Sequence, residues 1–161
     1  MNSGATSLFI GSEMGHVEVV RLLLAGGAAV DAAMNNGATP LFIASEYGNV
    51  EVVRALLAGG AAVDAACNDG ATPLYVASQE GHLEVVRALL AGGAVVDAAK
   101  IDGDTPLLVA CFSEHVEVAR ELLLHGAAVN HSASNGSTAL SFALYRNNVA
   151  LEALLRAAGA V

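Results

Sequence analysis

The chain has 161 residues, a length typical of a single domain. Hydrophobic residues make up 55% of it and aromatic residues only 4%, so we expect closely packed helices with small side chains between them. The net charge of −9 leaves no basic footprint for a nucleic acid, and it disfavours binding to an anionic membrane surface.

A sequence period of 33 residues runs along the chain. Each period contains one glycine, one threonine and one leucine at fixed places: Gly4, Gly37, Gly70, Gly103 and Gly136; Thr6, Thr39, Thr72, Thr105 and Thr138; Leu8, Leu41, Leu74, Leu107 and Leu140. A fixed period indicates one supersecondary unit that is stacked repeatedly. It predicts a single domain, 1–161, with units at 1–33, 34–66, 67–99 and 100–132 and a C-terminal cap at 133–161.

The first unit begins in register at Met1, and only Asn2 and Ser3 offer polar side chains before the repeat pattern starts. The N-terminal end of the stack is therefore less clearly capped than the C-terminal end. A chain cut from a longer protein, or one built from a consensus sequence, would start in the same way.

The second unit shows the local signals of a turn and a short helix. Asn36-Gly37 is a turn dipeptide. Thr39 can cap a helix through its side-chain oxygen, and Pro40 suits the first helical position, where no N–H is needed. Gly48 tolerates the left-handed conformation that ends many helices. The pattern therefore predicts a helix that starts at Pro40 and stops before Gly48.

A second helix is predicted from about Val50 to Ala58, and Gly60 ends it. Its glutamate and arginine are three residues apart, and this pair recurs as Glu18–Arg21, Glu51–Arg54, Glu84–Arg87 and Glu117–Arg120. We interpret these pairs as ion pairs on the helix surface, each worth a few tenths of a kcal/mol. Helices this short are unstable alone, so each unit must pack against its neighbours.

The last unit carries Glu152 and Arg156 where earlier units have valine and leucine. Polar residues at positions that would otherwise contact a further unit are what a C-terminal cap requires.

The repeat resembles the ankyrin repeat. The resemblance depends on Gly37-Ala38-Thr39-Pro40-Leu41, on the "GNVEVVRALL" or "GHLEVVRALL" that follows, and on the final "GGAAVDA", and it extends over all 161 residues. It implies an all-α repeat solenoid, an ankyrin-type stack of β-turn and helix-turn-helix units. It also implies that the turn tips and first helices form a concave face, that this face binds other proteins, and that the repeats are not catalytic.

The chain departs from the family where a histidine usually follows "TPL". The residues there are Phe9, Phe42, Tyr75, Leu108 and Ser141. We expect packing to replace the usual side-chain hydrogen bonding at this position.

Motifs for chemistry are absent from the sequence. His16, His82 and His115 occupy one place in the repeat, which favours a role in stacking, and no HExxH motif, paired Cys/His spacing or phosphate-binding loop is present. The cysteines, Cys67 and Cys111, form no CxxC motif. We expect no cofactor, no metal and no enzyme activity.

No secretion signal or membrane-spanning run is recognisable in the sequence. We therefore expect a soluble, cytoplasmic protein, and a monomer, with no contact to nucleic acid or membrane.

Candidate partner-binding residues follow from mapping the repeat onto the family's concave face. They lie at the ends of first helices and at one turn tip: Met14, Glu46, Tyr47, Gln79, Glu80, Phe112, Ser113, Tyr145 and Arg146, with Ile101 and Asp102 at the turn. This surface starts acidic and becomes apolar in the fourth unit, at Ile101 and Phe112. Aromatic residues and arginine are frequent interface anchors.

The segment "CFSEH", residues 111–115, is the least regular part of the stack. Phe112 has two interpretations: an exposed contact residue, or a ring that has moved one helical turn from the place of Leu108 to fill the core. Glu114 replaces a glycine, and a left-handed backbone there would cost about 1 kcal/mol relative to glycine.

The sequence thus favours a non-catalytic protein-interaction module that binds an unidentified partner, with a basic partner surface favoured by the net charge. The alternative is an engineered or consensus-like scaffold without an evolved partner. The near-identity of residues 51–61 and 84–94 favours the alternative, and the irregular fourth unit counts against it.

Overall fold

The computed structural model describes residues 4–161, and these residues contain ten α-helices. In chain order they are α1 (Ser7–Glu13), α2 (Val17–Ala25), α3 (Pro40–Glu46), α4 (Val50–Ala58), α5 (Pro73–Glu80), α6 (Leu83–Ala91), α7 (Pro106–Phe112), α8 (Val116–Leu124), α9 (Ala139–Tyr145) and α10 (Val149–Ala157). Asn2, Ser3 and the expected start of the first unit at Met1 lie outside the described residues.

Each odd-numbered helix, called a first helix below, begins at a threonine. The hydroxyl oxygen of Thr39 accepts a hydrogen bond from the backbone N–H of Phe42 at 3.2 Å, and Pro40 occupies the first helical position. The same cap recurs at Thr6, Thr72, Thr105 and Thr138. The predicted helix starts are therefore confirmed, because they depend only on residues within one turn of each other.

The even-numbered helices, called second helices, pack antiparallel to the first helix of the same pair after a tight turn. The predicted range Val50–Ala58 is the observed one. In the turn before it Gly48 has φ of 71°, and in the fourth pair Glu114 keeps this left-handed conformation with φ of 64°. The strain expected at Glu114 is thus present in the structure.

Helix pairs stack side by side around one continuous core. Leucines that follow the caps and valines on the second helices fill it, and they are fully buried: Leu41, Leu74, Leu107, Val20, Val53 and Val86 are examples. The first helices of successive pairs contact one another more extensively than the second helices do.

Hydrogen bonds between successive pairs join the segments that follow the second helices. The carboxylate of Asp97 accepts from the backbone N–H of Ala128 at 3.0 and 3.2 Å. Asp31 and Asp64 make the equivalent bonds to Ala62 and Val95. These recurring carboxylates therefore belong to the scaffold.

The position that follows "TPL" is filled by packing in four of the pairs. Phe9, Tyr75 and Leu108 are buried and Phe42 is half-buried. The expectation is wrong at Ser141, which is exposed. Its hydroxyl oxygen accepts from the N–H of Thr138 at 2.9 Å, so a hydrogen bond is kept there and completes a capping box.

Candidate protein-binding surface

Charge is distributed unevenly between the two sides of the stack. The second helices carry six carboxylates and five arginines, and every one of these carboxylates lies within 2.7–3.3 Å of an arginine nitrogen. The first helices and their flanking turns carry seven carboxylates and only two cations, Lys100 and Arg146: the acids are Glu13, Glu46, Asp69, Glu80, Asp102, Asp104 and Glu114. More than half of the net negative charge is therefore on the first-helix side.

All of the residues predicted to bind a partner are accessible. Met14, Tyr47, Gln79, Glu80, Asp102 and Arg146 are exposed, while Glu46 and Ser113 are half-buried. Ile101 and Tyr145 are the most exposed apolar members, with 79% and 80% of their surface accessible. The backbone N–H of Ile101 donates to the carbonyl of Asp69, so the backbone at this turn tip is bonded to the preceding turn.

Phe112 is partly exposed and partly packed against a neighbouring ring, so neither exposure nor burial alone describes it. Its side chain is 48% exposed, yet its ring packs edge-on against Phe142, with the centroids 5.4 Å apart and the planes at 74°. The guanidinium carbon of Arg146 lies 5.1 Å from the centroid of the same ring. These three residues, here called the Phe112 cluster, form a partly exposed aromatic and cationic surface.

Phe142 was not predicted as a site residue. It occupies the place held by Ile10, Ile43, Val76 and Val109 in the other pairs. The change from an aliphatic residue to an aromatic ring was the available sequence signal for a special role of residue 142. The signal could not be interpreted without Phe112, which lies 30 residues earlier in the sequence and contacts Phe142 only in the folded stack.

A groove of about 640 Å³ borders the Phe112 cluster, and we call it the C-terminal groove. It is lined by Tyr75, Gln79, Glu80, Asp104, Leu108, Val109, Phe112, Ser113, His115, Asn135 and Phe142. The groove brings together the predicted residues Gln79, Glu80, Phe112 and Ser113. Ile101, Asp102 and Tyr145 are not among its lining residues. The carboxylate of Asp102 instead accepts from the N–H of Asp104 at 3.2 Å.

Asp104 is a second residue that the sequence reasoning missed. It lies at the place of Ala5, Ala38 and Ala71 and points a carboxylate toward the C-terminal groove. Burial, followed by repulsion from Asp102, raises the pKa of the Asp104 carboxyl. An acidic side chain thus replaces a methyl group at the wall of this groove.

A second groove of about 700 Å³, the N-terminal groove, crosses the first three pairs on the same side. Its lining includes the apolar Phe9, Ile10, Met34, Phe42 and Ile43 and the acidic Glu13, Glu46 and Asp69. Burial, then repulsion from Glu80 and from Glu13, raises the pKa of the Glu46 carboxyl. Of the predicted residues only Glu46 lines this groove.

Cys111, His82 and His115 are used by the scaffold. Cys111 is fully buried at the place of Ser12, Ser45 and Ser78, and burial raises the pKa of its thiol to about 12. The Nε2 atoms of His82 and His115 lie 2.9 and 3.0 Å from the carbonyl oxygens of Glu46 and Gln79, so the stacking role is confirmed for both. Within residues 4–161, no three His, Cys, Asp or Glu side chains converge as metal ligands.

None of the helices between residues 4 and 161 has the length and apolar character needed to cross a membrane.

Comparison with known families identifies a repeat family. A family model described as "Ankyrin repeats (3 copies)" matches residues 8–100 and 93–160. No curated protein matches the chain significantly. The matched residues include the Phe112 cluster, the C-terminal groove and every lining residue of the N-terminal groove except Ala5.

Proposed function

The chain belongs to the ankyrin repeat family, and we propose that it binds a partner protein on its first-helix side, without catalysing a reaction. Ankyrin repeats are generally protein-interaction modules. The proposal places the binding residues on the concave face expected for the family, on the side of the first helices, the turn tips and both grooves.

The observation that carries this proposal is the Phe112 cluster beside the C-terminal groove. A half-exposed phenylalanine, supported on one edge by Phe142 and covered in part by Arg146, is held in place before any partner arrives. Anchors of this kind lose little conformational entropy on binding and dominate many interfaces. The groove beside them has a volume of about 640 Å³ and can receive a partner side chain.

The other predicted residues extend this surface in both directions. Ile101 and Tyr145 are outlying apolar contacts, and Met14, Glu46 and Tyr47 continue the surface toward the first pair. The excess of carboxylates on this side favours a partner with a basic surface. We propose that the protein is a monomer and that it is cytoplasmic. We also propose that it forms a single domain, with repeat units at 1–33, 34–66, 67–99, 100–132 and 133–161.

A scaffold without an evolved partner, engineered or consensus-like, is the second candidate. It is favoured by the regularity of the first three pairs, in which Asp31 and Asp64 make bonds of identical length to the following pair. The fourth pair, with Cys111, Phe112 and Glu114, departs from that regularity.

The test is to capture partners from a lysate with the wild-type chain and to measure the affinity of each captured protein for single variants. We expect Phe112→Gln and Ile101→Ser to weaken binding, with Phe112→Gln at least tenfold weaker. The matched control is Leu124→Gln, because Leu124 is 75% exposed but lies at the end of a second helix. Its affinity should stay within twofold of the wild type.

Unfolding curves of the same variants separate binding from folding. If Phe112→Gln lowers the free energy of unfolding by several kcal/mol and no captured protein distinguishes it from Leu124→Gln, the ring is a core residue and the scaffold candidate replaces the proposal.

A further inference from the structure

The N-terminal groove combines an apolar floor with an acidic rim. Phe42 is half-buried in the floor, and Ile10 is half-exposed beside it. Glu13 and Glu46 stand at the rim, one on each of two successive first helices and 33 residues apart. The groove can therefore contact a side chain that is apolar along its length and polar at its end.

Within the part of the chain that the structure describes, these two glutamates differ from those of the second helices in having no cationic partner. Each second-helix carboxylate is paired with an arginine, as Glu18 is with Arg21 at 2.8 Å. Among the ion pairs formed within residues 4–161, none includes Glu13 or Glu46. Asp69, at the other side of the groove, is already paired with Lys100 at 3.3 Å. The uncompensated charge in the groove is thus that of Glu13 and Glu46.

Glu13 also lies close enough to Glu46 to disfavour the charge of Glu46. Besides burial, repulsion from Glu80 and from Glu13 raises the pKa of Glu46. The three carboxylates therefore form an acidic row that runs from the N-terminal groove to Glu80, which lines the C-terminal groove. A cation placed beside Glu46 would relieve this repulsion.

We infer that the N-terminal groove binds an arginine or lysine side chain of an extended basic segment in the partner protein. The methylene stem lies on Phe42 and Ile10, and the charged end lies between Glu13 and Glu46. Arginine and lysine bury their stems against apolar surface while their charged ends pair with carboxylates. The inference rests on the proposed function, because the segment belongs to the protein that is bound on the first-helix side.

The acidic row gives the segment a direction along the stack. Because Glu80 and Asp104 line the C-terminal groove, a segment that fills the N-terminal groove with a cation can continue past Glu80. An apolar residue further along it would then contact the Phe112 cluster. The complementary partner is therefore a basic segment that also contains an apolar residue.

The experiment uses a defined probe, acetyl-Gly-Arg-Gly-amide, titrated into the ¹⁵N-labelled chain and followed by backbone amide chemical shifts. The comparison peptide has citrulline in place of arginine, which keeps the shape and removes the charge. The test variants are Glu13→Gln and Glu46→Gln; glutamine is the residue found at the same repeat position in the third pair, Gln79. The control is Glu18→Gln, which makes the same charge change on the second-helix side.

We expect saturable shifts in α1 and α3 with the arginine peptide. Glu46→Gln should weaken its affinity at least fivefold, and Glu18→Gln should leave it within twofold. Equal shifts with the citrulline peptide would overturn the inference, and so would equal losses in Glu46→Gln and Glu18→Gln, which would indicate only a response to net charge.

The same titration separates this inference from the proposed function. Phe112→Gln should leave the peptide titration unchanged within twofold, while it weakens binding of a captured partner. A groove that binds the arginine peptide in a chain whose Phe112 has no role in partner binding would support the inference and refute the proposed anchor. Partner binding that depends on Phe112 but not on Glu13 or Glu46 would support the proposed anchor and refute the inference.

Discussion

The imidazole ring of His115 lies against the backbone of Gly81. A Cβ atom at residue 81 would come within 2.6 Å of the ring, and the Nε2 atom of His115 lies 3.0 Å from the carbonyl oxygen of Gln79. His82 lies against Gly48 in the same way, with a corresponding distance of 2.7 Å. A histidine at the place of His82 or His115 therefore restricts the residue that faces it in the preceding repeat to glycine or to a residue that displaces the ring.

Residue 114 of the irregular segment 111–115 lies at this restricted place in the repeat. Glu114 has a side chain where the earlier pairs have glycine, and the residue that faces it in the next pair is Asn148 rather than histidine. The Nδ2 atom of Asn148 donates to a carboxylate oxygen of Glu114 at 3.2 Å, and its Oδ1 atom accepts from the N–H of Leu151. Because Asn49 faces Gly15 at the equivalent place, asparagine fits opposite either a glycine or Glu114.

Gly81→Ala should destabilise the chain more than Gly60→Ala. Both glycines have positive φ, 77° and 86°, but a Cβ at Gly60 meets no atom within 4 Å. We expect about 1 kcal/mol for Gly60→Ala from the backbone alone, and about 1–2 kcal/mol more for Gly81→Ala from the contact with His115. Urea unfolding measures both. Equal losses in the two variants would show that the ring does not restrict residue 81.

Glu114→Gly should stabilise the chain by roughly 0.5–1 kcal/mol. The substitution removes a side chain from a residue with φ of 64°, where glycine is less strained. It also removes an exposed hydrogen bond to Asn148, which offsets only a small part of the gain. The free energy of unfolding in urea is the measurement, and no gain, or a loss, would show that the contact between Glu114 and Asn148 outweighs the backbone strain.

Asp97→Ala should cost about 1 kcal/mol, because the backbone N–H of Ala128 loses its acceptor. Asp97→Asn is the matched control. In the following pair Asn130 makes the equivalent bond, its Oδ1 atom accepting from the N–H of Val161 at 3.1 Å. Asparagine at residue 97 should therefore keep most of the stability. If both variants lose the same amount in thermal or urea unfolding, the negative charge matters more than the hydrogen bond.

Glu46→Gln should stabilise the folded chain at pH 7 by about 0.3–0.5 kcal/mol, the scale of a screened like-charge pair. The pKa of Glu46 is raised in the folded state above its ordinary value of 4.5. Between the two values the folded state binds more protons than the unfolded state, so stability falls as pH rises through that window. The gain from glutamine should therefore be full above the raised pKa and should vanish below about pH 4.5.

Urea unfolding at pH 7 and pH 4 checks this, with Glu18→Gln as the control. Glu18 is paired with Arg21 at 2.8 Å, so its removal should bring no gain at pH 7. An equal gain in both variants would assign the effect to net charge rather than to the acidic row.

Both cysteines should react slowly with a disulfide reagent at pH 8. Burial raises the pKa of Cys67 to about 11 and that of Cys111 to about 12, so little thiolate is present at this pH. Cys67 is half-buried in the N-terminal groove and should react roughly a hundredfold more slowly than a free thiol. Cys111 should react only as the chain unfolds. A Cys67→Ser variant that reacts rapidly while folded would contradict this placement.

The amino-acid sequence determined the repeat, the helix starts and the helix ends of this protein. A threonine cap, a proline at the first helical position and a glycine with positive φ act through atoms a few residues apart, as Thr39, Pro40 and Gly48 show. Such local contacts form wherever these residue types occur at this spacing. The helix starts and ends could therefore be predicted from the 33-residue repeat alone.

The tertiary structure decided which side chains of different repeats meet. Phe112 packs on Phe142, and Asp104 faces the C-terminal groove. Glu13 and Glu46 face one groove, and among residues 4–161 neither forms an ion pair. These relations depend on the displacement and rotation between neighbouring pairs, which no single repeat encodes. The candidate residues at the helix ends could therefore be found from the sequence, whereas their grouping into two grooves followed only from the stack.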